Sequence, residues 1–240
     1  MEIQGLHGQV VDRIGQAFAA EEIRAGEILR LEDIQERYGV SRTVAREAVR
    51  VLEAKQVVAS RPRIGITVRP VDEWNLYDPQ VIGWRLGTAR REEVLCELAQ
   101  LRAAVEPAAA RLAALSDATE ARSQLSATVK AMRKAAIRGD IERFIKADAD
   151  FHRALLRASG NRMFTQLAKV TEGLLVARHA HSLMPHVIDE TAVRRHQQVA
   201  DEIAAGRSDE AARVMKLIVE AACREVEELL DGGDSAQQVE

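Results

Sequence analysis

Apolar side chains recur every three or four positions along most of this chain, and the breaks in that rhythm divide it. Val10, Ile14, Ala17 and Phe18 share one side of a wheel, which predicts an amphipathic helix over residues 7–20. Leu31, Ile34 and Tyr38 predict a second, shorter helix, with Gly39 as its terminating residue. Ser41 then reads as the N-cap of a third helix that runs to about Lys55. On that helix Val44, Ala45, Ala48, Val51 and Leu52 fall on one half of the wheel. Arg42, Arg46 and Arg50 climb the other half at i, i+4 and i+8, with Thr43 beside them. The period then shortens to two β-prone runs, 57–59 and 66–68, around a turn that holds Arg61, Arg63 and Gly65. Helix, glycine-bearing turn, helix and basic hairpin are the parts of a winged helix-turn-helix.

Residues 70–80 carry two prolines and no period, the mark of a linker. Trp74 and Tyr77 within it predict that it docks, and Asp78-Pro79 predicts a capped helix start. Helical periodicity then dominates, with helices expected near 79–87, 91–115, 117–138, 140–158, 161–182, 189–205 and 208–230. Pro107 is expected to kink the second of these. The expected architecture is mostly α. It has a winged helix-turn-helix over 1–69, a linker over 70–80, an all-helical bundle for effector binding and dimerisation over 81–230, and a disordered tail over 231–240.

Length and composition agree, since 240 residues suit two domains at about 100–200 residues each. A chain that is 47% hydrophobic and 30% charged is not disordered in the main, and 3% aromatics suit a helical core. No apolar run approaches the ~18 residues of a membrane span. Met1 to Gly15 lacks the basic start and apolar block of a secretory signal, and Cys96 and Cys223 are the only cysteines. A cytoplasmic protein is expected, with no membrane partner. Charge is divided unevenly. Residues 24–69 hold ten Lys and Arg against six Asp and Glu, a balance of +4, which leaves −7 for the rest of a chain whose net charge is −3. A basic module on an acidic body points to nucleic acid. The ladder of Arg42, Arg46 and Arg50 suits phosphates and guanine edges because a guanidinium donates two parallel bonds. Arg63 at the wing tip would lie against backbone or minor groove, with Gly65 permitting close approach. Two such helices in a homodimer would read an inverted repeat in double-stranded DNA.

The body carries polar residues on apolar stripes. Asp148 and His152 stand one turn apart among Ile141, Phe144, Ile145, Leu155 and Leu156. Arg102 lies on the stripe of Leu95, Leu98, Val105 and Ala109, and His196 on that of Ala192, Val199 and Ile203. One carboxylate and two imidazoles are ligands for a divalent transition metal with open positions, zinc first, with nickel or manganese as alternatives. Arg102 would pair with the carboxylate of a small hydroxylated acid held at that metal. Two other readings stand beside this one. One is a satisfied core network without metal, with Asp148 bonded to His152 and Arg102 paired with Glu106 or Asp148. The other is a metal-dependent enzyme, because two His and a carboxylate also form the facial triad of non-haem iron oxygenases. The basic winged module speaks against an enzyme, which needs none.

The stretch from Gly39 through Ser41, Arg42, Thr43 and Arg46 to Leu52, with the wing Arg63 to Val68, resembles the GntR family of bacterial transcription regulators. The resemblance implies base contacts from Arg42 and Arg46 and backbone contacts from Ser41, Thr43 and Gly65. This chain departs from the family where Ala25-Gly26 and Arg30-Leu31-Glu32 stand for the usual Pro-Gly and Pro-Ser-Glu. The body, through Leu101 to Pro107, Asp148 to Leu156, Ser159-Gly-Asn161 and His196 to Gly206, resembles the FCD effector domain of the FadR subfamily. That likeness implies a metal set of one Asp and three His. Asp148, His152 and His196 match three positions and Ile218 stands at the fourth, with His179, His181 and His186 as other candidates. It also implies Asn161 near the effector, and Glu73 to Pro79 resembles regulators of sugar-acid catabolism. The expected function is a ligand-responsive repressor of sugar-acid or other carboxylate catabolism.

Overall fold

The computed structural model describes residues 6–117, 119–180 and 190–234. The chain forms two compact units, Met1–Val94 and Leu95–Glu240. It is mostly α, with a winged helix-turn-helix in the first unit and an all-helical second unit.

In the first unit α1 (Leu6–Ala19), α2 (Leu31–Tyr38) and α3 (Arg42–Ala54) surround a core that includes Val10, Ile14, Phe18, Ile34, Ala45, Ala48 and Leu52. Gly39 closes α2 in the left-handed region at φ 64°, as its position implied. The Ser41 Oγ accepts the Val44 N–H at 3.4 Å and caps α3. Arg30 has no hydroxyl to cap α2. Asp33 works in reverse there, its Oδ2 accepting the Arg30 N–H at 2.7 Å.

The wing has one strand more than the hairpin expected from sequence. β1 (Ile28–Leu29) pairs with β3 (Gly65–Val68), which pairs with β2 (Val58–Arg61), all antiparallel in the order β1-β3-β2. Two residues are too few for an alternating pattern to register, so β1 owes its existence to its partner.

Residues 70–80 dock on this unit. Trp74 is buried and donates from Nε1 to the Arg69 carbonyl at 2.8 Å. Tyr77, also expected to dock, is exposed. Asp78 caps α4 (Pro79–Leu86) with Pro79 in its first turn, and Lys55 reaches its carboxylate at 2.7 Å. The sequence reading gave α4 to the helical body, but α4 packs on α1. Gln80 Nε2 and Trp84 Nε1 both donate to Asp12 Oδ1, at 2.6 and 2.8 Å. The Trp84 ring lies over Gly15, where a Cβ would stand 2.4 Å from it. Gly15→Ala would gain ~1 kcal/mol of helix propensity. Yet the ring is buried and tied to Asp12, so overpacking of about 1–3 kcal/mol is expected to win. A lower denaturation midpoint is the expected result; a higher one would mean that α4 does not rest on α1.

The second unit holds α5 (Arg91–Leu115) from Leu95 onward, α6 (Thr119–Arg138), α7 (Ile141–Ala158), α8 (Arg162–Ala180), α9 (Glu190–Ala204) and α10 (Ser208–Asp234). α5 runs through Pro107 as one helix. α10 continues to Asp234, past the point where the tail was expected, and residues 235–240 lie outside the described residues. α7 packs against α6 and α8, and α9 against α6 and α10. The core runs from Ala109, Ala110 and Ala113 through Leu125, Met132, Phe151 and Leu155 to Ile203 and Met215. No helix of the described residues is long and apolar enough to cross a membrane.

Candidate nucleic-acid interface and metal centre

α3 buries Ala45, Ala48, Val49 and Leu52. Val44 and Val51, expected on the packed half, are half-buried, because the contact face is centred closer to Val49. The opposite side exposes Arg42, Thr43, Arg46 and Arg50, with Ser41 at its start. Arg42 lies 3.5 Å from Glu32 and Arg50 2.6 Å from Glu47, both as exposed pairs. Such pairs contribute about 0–1 kcal/mol, little enough for a phosphate to displace them. Arg46 makes no ion pair among the described residues.

The wing is tied to this helix by Glu53, whose Oε1 accepts the Ser60 N–H at 2.8 Å. At the wing tip Arg63 is exposed and holds a left-handed backbone at φ 67°. Gly65, expected to allow close approach of DNA, already has a reason within the fold. At φ +122° its Cβ would stand 2.8 Å from the Leu29 carbonyl oxygen, so β1 can pair there only with glycine.

In the second unit five ionisable side chains meet in the interior. α5 supplies Arg102 and Glu106, α7 supplies Asp148 and His152, and α9 supplies His196, all buried residues. Arg102 donates from Nε to Glu106 Oε1 at 2.8 Å and from Nη2 to Oε2 at 3.4 Å. The same Oε2 of Glu106 also meets His152, whose Nδ1 lies 2.9 Å from it. That contact makes Nδ1 a donor, and Arg102 Nη2 stands against the same ring, 2.9 Å from Nε2 and 3.3 Å from Nδ1. Burial alone would raise the Glu106 carboxyl, but Arg102 and then His152 outweigh it and hold it at about 2. Arg102 paired with Glu106 is one arrangement the sequence allowed. The part of Glu106 as a bridge to His152 went unread, although its i+4 spacing from Arg102 was the available signal.

Asp148 and His196 form the other half of the cluster. His196 Nδ1 lies 2.7 Å from the Ala192 carbonyl, which accepts its proton and turns Nε2 inward as a lone pair. Nε2 stands 3.0 Å from Asp148 Oδ1, yet it is fully buried and has no hydrogen-bond partner. The two atoms stand as an ion pair without a hydrogen bond between them. His152 Nε2 is 3.7 Å from the same Asp148 oxygen. Burial would raise the Asp148 carboxyl, but His152 first and then His196, when protonated, hold it well below the usual carboxylate range; neutral, the same rings turn lone pairs toward it. A carboxylate and an unpartnered imidazole nitrogen turned toward one space fit a cation better than each other. Ligand atoms at about 2.0–2.2 Å from one ion stand roughly 3–4 Å apart. Here the three donors lie within 4.8 Å of one another.

The structure also places Ile218 and Asn161. Ile218 is a buried core residue on α10 and offers no donor. Asn161, expected near the effector, has its Oδ1 committed to capping α8, where it accepts from the Met163 and Phe164 amides at 2.9 and 3.4 Å. His181 and His186 lie outside the described residues, and so does the side chain of His179.

Residues 97–221 match the model of the FCD domain, and residues 6–68 that of bacterial regulatory proteins of the gntR family. The chain is 28% identical over 215 residues to the uncharacterized HTH-type transcriptional regulator YieP of Escherichia coli strain K12, covering 88% of this chain and 90% of that protein. It is 26% identical over 198 residues to the galactonate operon transcriptional repressor of the same organism, covering 82% of this chain and 86% of that one. Among solved structures, Lar, described as controlling the Listeria monocytogenes agr system, superimposes with a TM-score of 0.59 at 17% identity, over 95% of this chain and 100% of that one. That likeness concerns the fold.

Proposed function

The chain belongs to the GntR family of bacterial regulatory proteins and carries an FCD domain, and from that membership we propose a repressor that binds a palindromic operator as a homodimer and answers to a small carboxylate effector. It is a transcriptional regulator, and the enzyme reading is set aside because the family and its named relatives are regulators. Ser41, Arg42, Thr43, Arg46 and Arg50 on α3 form the surface proposed to enter the major groove, with Arg63 and Gly65 on the wing against the backbone. Two-fold pairing of the chain would match an inverted repeat.

The observation that carries the effector half is the buried, unpartnered His196 Nε2 facing Asp148. Asp148, His152 and His196 would hold a divalent transition metal, with zinc as the first candidate from the imidazole-rich set. Such an ion offers coordination positions to a carboxylate and an adjacent hydroxyl, and Arg102 stands beside it as a second cationic group. A sugar acid fits this chemistry, and similarity to a galactonate operon repressor supports the class. Metal content measured on the purified chain is expected to fall on His152→Ala and His196→Ala in variants that keep the wild-type melting profile. Equal metal in all three proteins would remove the site.

A further inference from the structure

We propose that Arg102, clamped by Glu106, is a built-in competitor for the metal, its guanidinium taking the His152 ligand nitrogen so that ion binding requires Arg102 to let go. The inference rests on the metal reading above and concerns what sets the affinity of that site.

The three donors are not in equivalent states. Asp148 and His196 are turned toward the shared space, with His196 oriented by the Ala192 carbonyl and Nε2 unpartnered. Arg102 Nη2 already stands against the His152 ring, 2.9 Å from Nε2 and 3.3 Å from Nδ1. A metal needs Nε2 at about 2.0–2.1 Å, so ion and guanidinium cannot both hold it. Arg102 is not a surface side chain that swings away in water, being 2% exposed and bonded twice to a Glu106 that is wholly buried. Glu106 also grips the opposite nitrogen of the His152 ring at 2.9 Å. One carboxylate therefore orients the ligand and its competitor together. Ile218 supplies no replacement donor, so with Arg102 in place two protein ligands remain, Asp148 and His196. Apparent affinity is the intrinsic affinity multiplied by the fraction of molecules in which His152 is released.

The test is zinc affinity of the full chain, measured by competition with a chromophoric chelator. Arg102→Gln alone would also remove a positive charge and so draw in a cation by that route. The double variant Arg102→Gln/Glu106→Gln keeps the net charge and isolates the competition. Arg102→Lys is the second variant, because it retains the charge and a partner for Glu106 but lacks the forked head that reaches His152. At least one variant that keeps the wild-type melting profile is expected to bind zinc about tenfold tighter or more, equivalent to about 1.4 kcal/mol. The inference is overturned if folded variants bind zinc no more tightly than wild type while His196→Ala loses it; the metal reading then stands. If His196→Ala binds zinc as wild type does, the metal reading falls and the inference with it.

Discussion

Glu106→Ala is expected to destabilise the helical unit by about 3–5 kcal/mol, the usual cost of stripping one partner from a buried ion pair. Arg102 would keep its charge at 2% exposure with no carboxylate against it, and His152 Nδ1 would lose its acceptor. The cost comes from the charge left behind, so it exceeds the net worth of the pair. A domain typically holds 5–15 kcal/mol, so the loss is a large share of the total. In urea it corresponds to a midpoint lower by on the order of 1–2 M. The pH dependence carries the same signature. Glu106 is held at about 2 in the fold against an ordinary 4.5, so its folded-state pKa is depressed. The stability it provides is fully present above the unfolded value and is lost as pH falls from there through about 2. Glu106→Gln is expected to flatten that part of the acid-unfolding profile. An unchanged midpoint in Glu106→Ala, together with an unchanged acid limb in Glu106→Gln, would show that the pair is not buried as described.

Arg46→Ala is expected to weaken operator binding by about 1–3 kcal/mol, roughly five- to 150-fold, if its guanidinium reads a base edge. Of the three arginines on the ladder, Arg42 and Arg50 face Glu32 and Glu47, whereas Arg46 makes no ion pair among the described residues. Arg46 therefore has no partner there to surrender on binding, and the full contact registers in affinity. Anisotropy titrations on DNA selected from a random pool by the wild-type protein provide the measurement, run at several salt concentrations. A base contact lowers affinity for selected DNA more than for random DNA. A phosphate contact lowers both alike and reduces the salt slope by about one. If Arg42→Ala and Arg46→Ala both bind selected DNA as tightly as wild type, α3 is not the reading helix.

The sequence by itself determined whatever depends on near neighbours. Helices and their ends followed from the 3.6-residue period and from stop and start residues that act within one turn, such as Gly39, Ser41 and Asp78-Pro79. The basic face of α3 and the shared face of Asp148 and His152 are spacings along single helices and were legible for the same reason. Only the tertiary structure decided which surfaces meet. β1 exists because β3 lies beside it, and Gly65 is glycine because Leu29 crosses there. α4 joins the first unit because Trp84 finds a bare helix surface at Gly15, a fit that depends on two residues far apart in sequence. The polar cluster divides the same way. Its residue types could be read, but the packing of α5, α7 and α9 set the distances by which Arg102 and Glu106 hold His152 while His196 and Asp148 face each other. Periodicity tells which side of a helix avoids water; which partner covers that side is settled by burial of the whole chain at once.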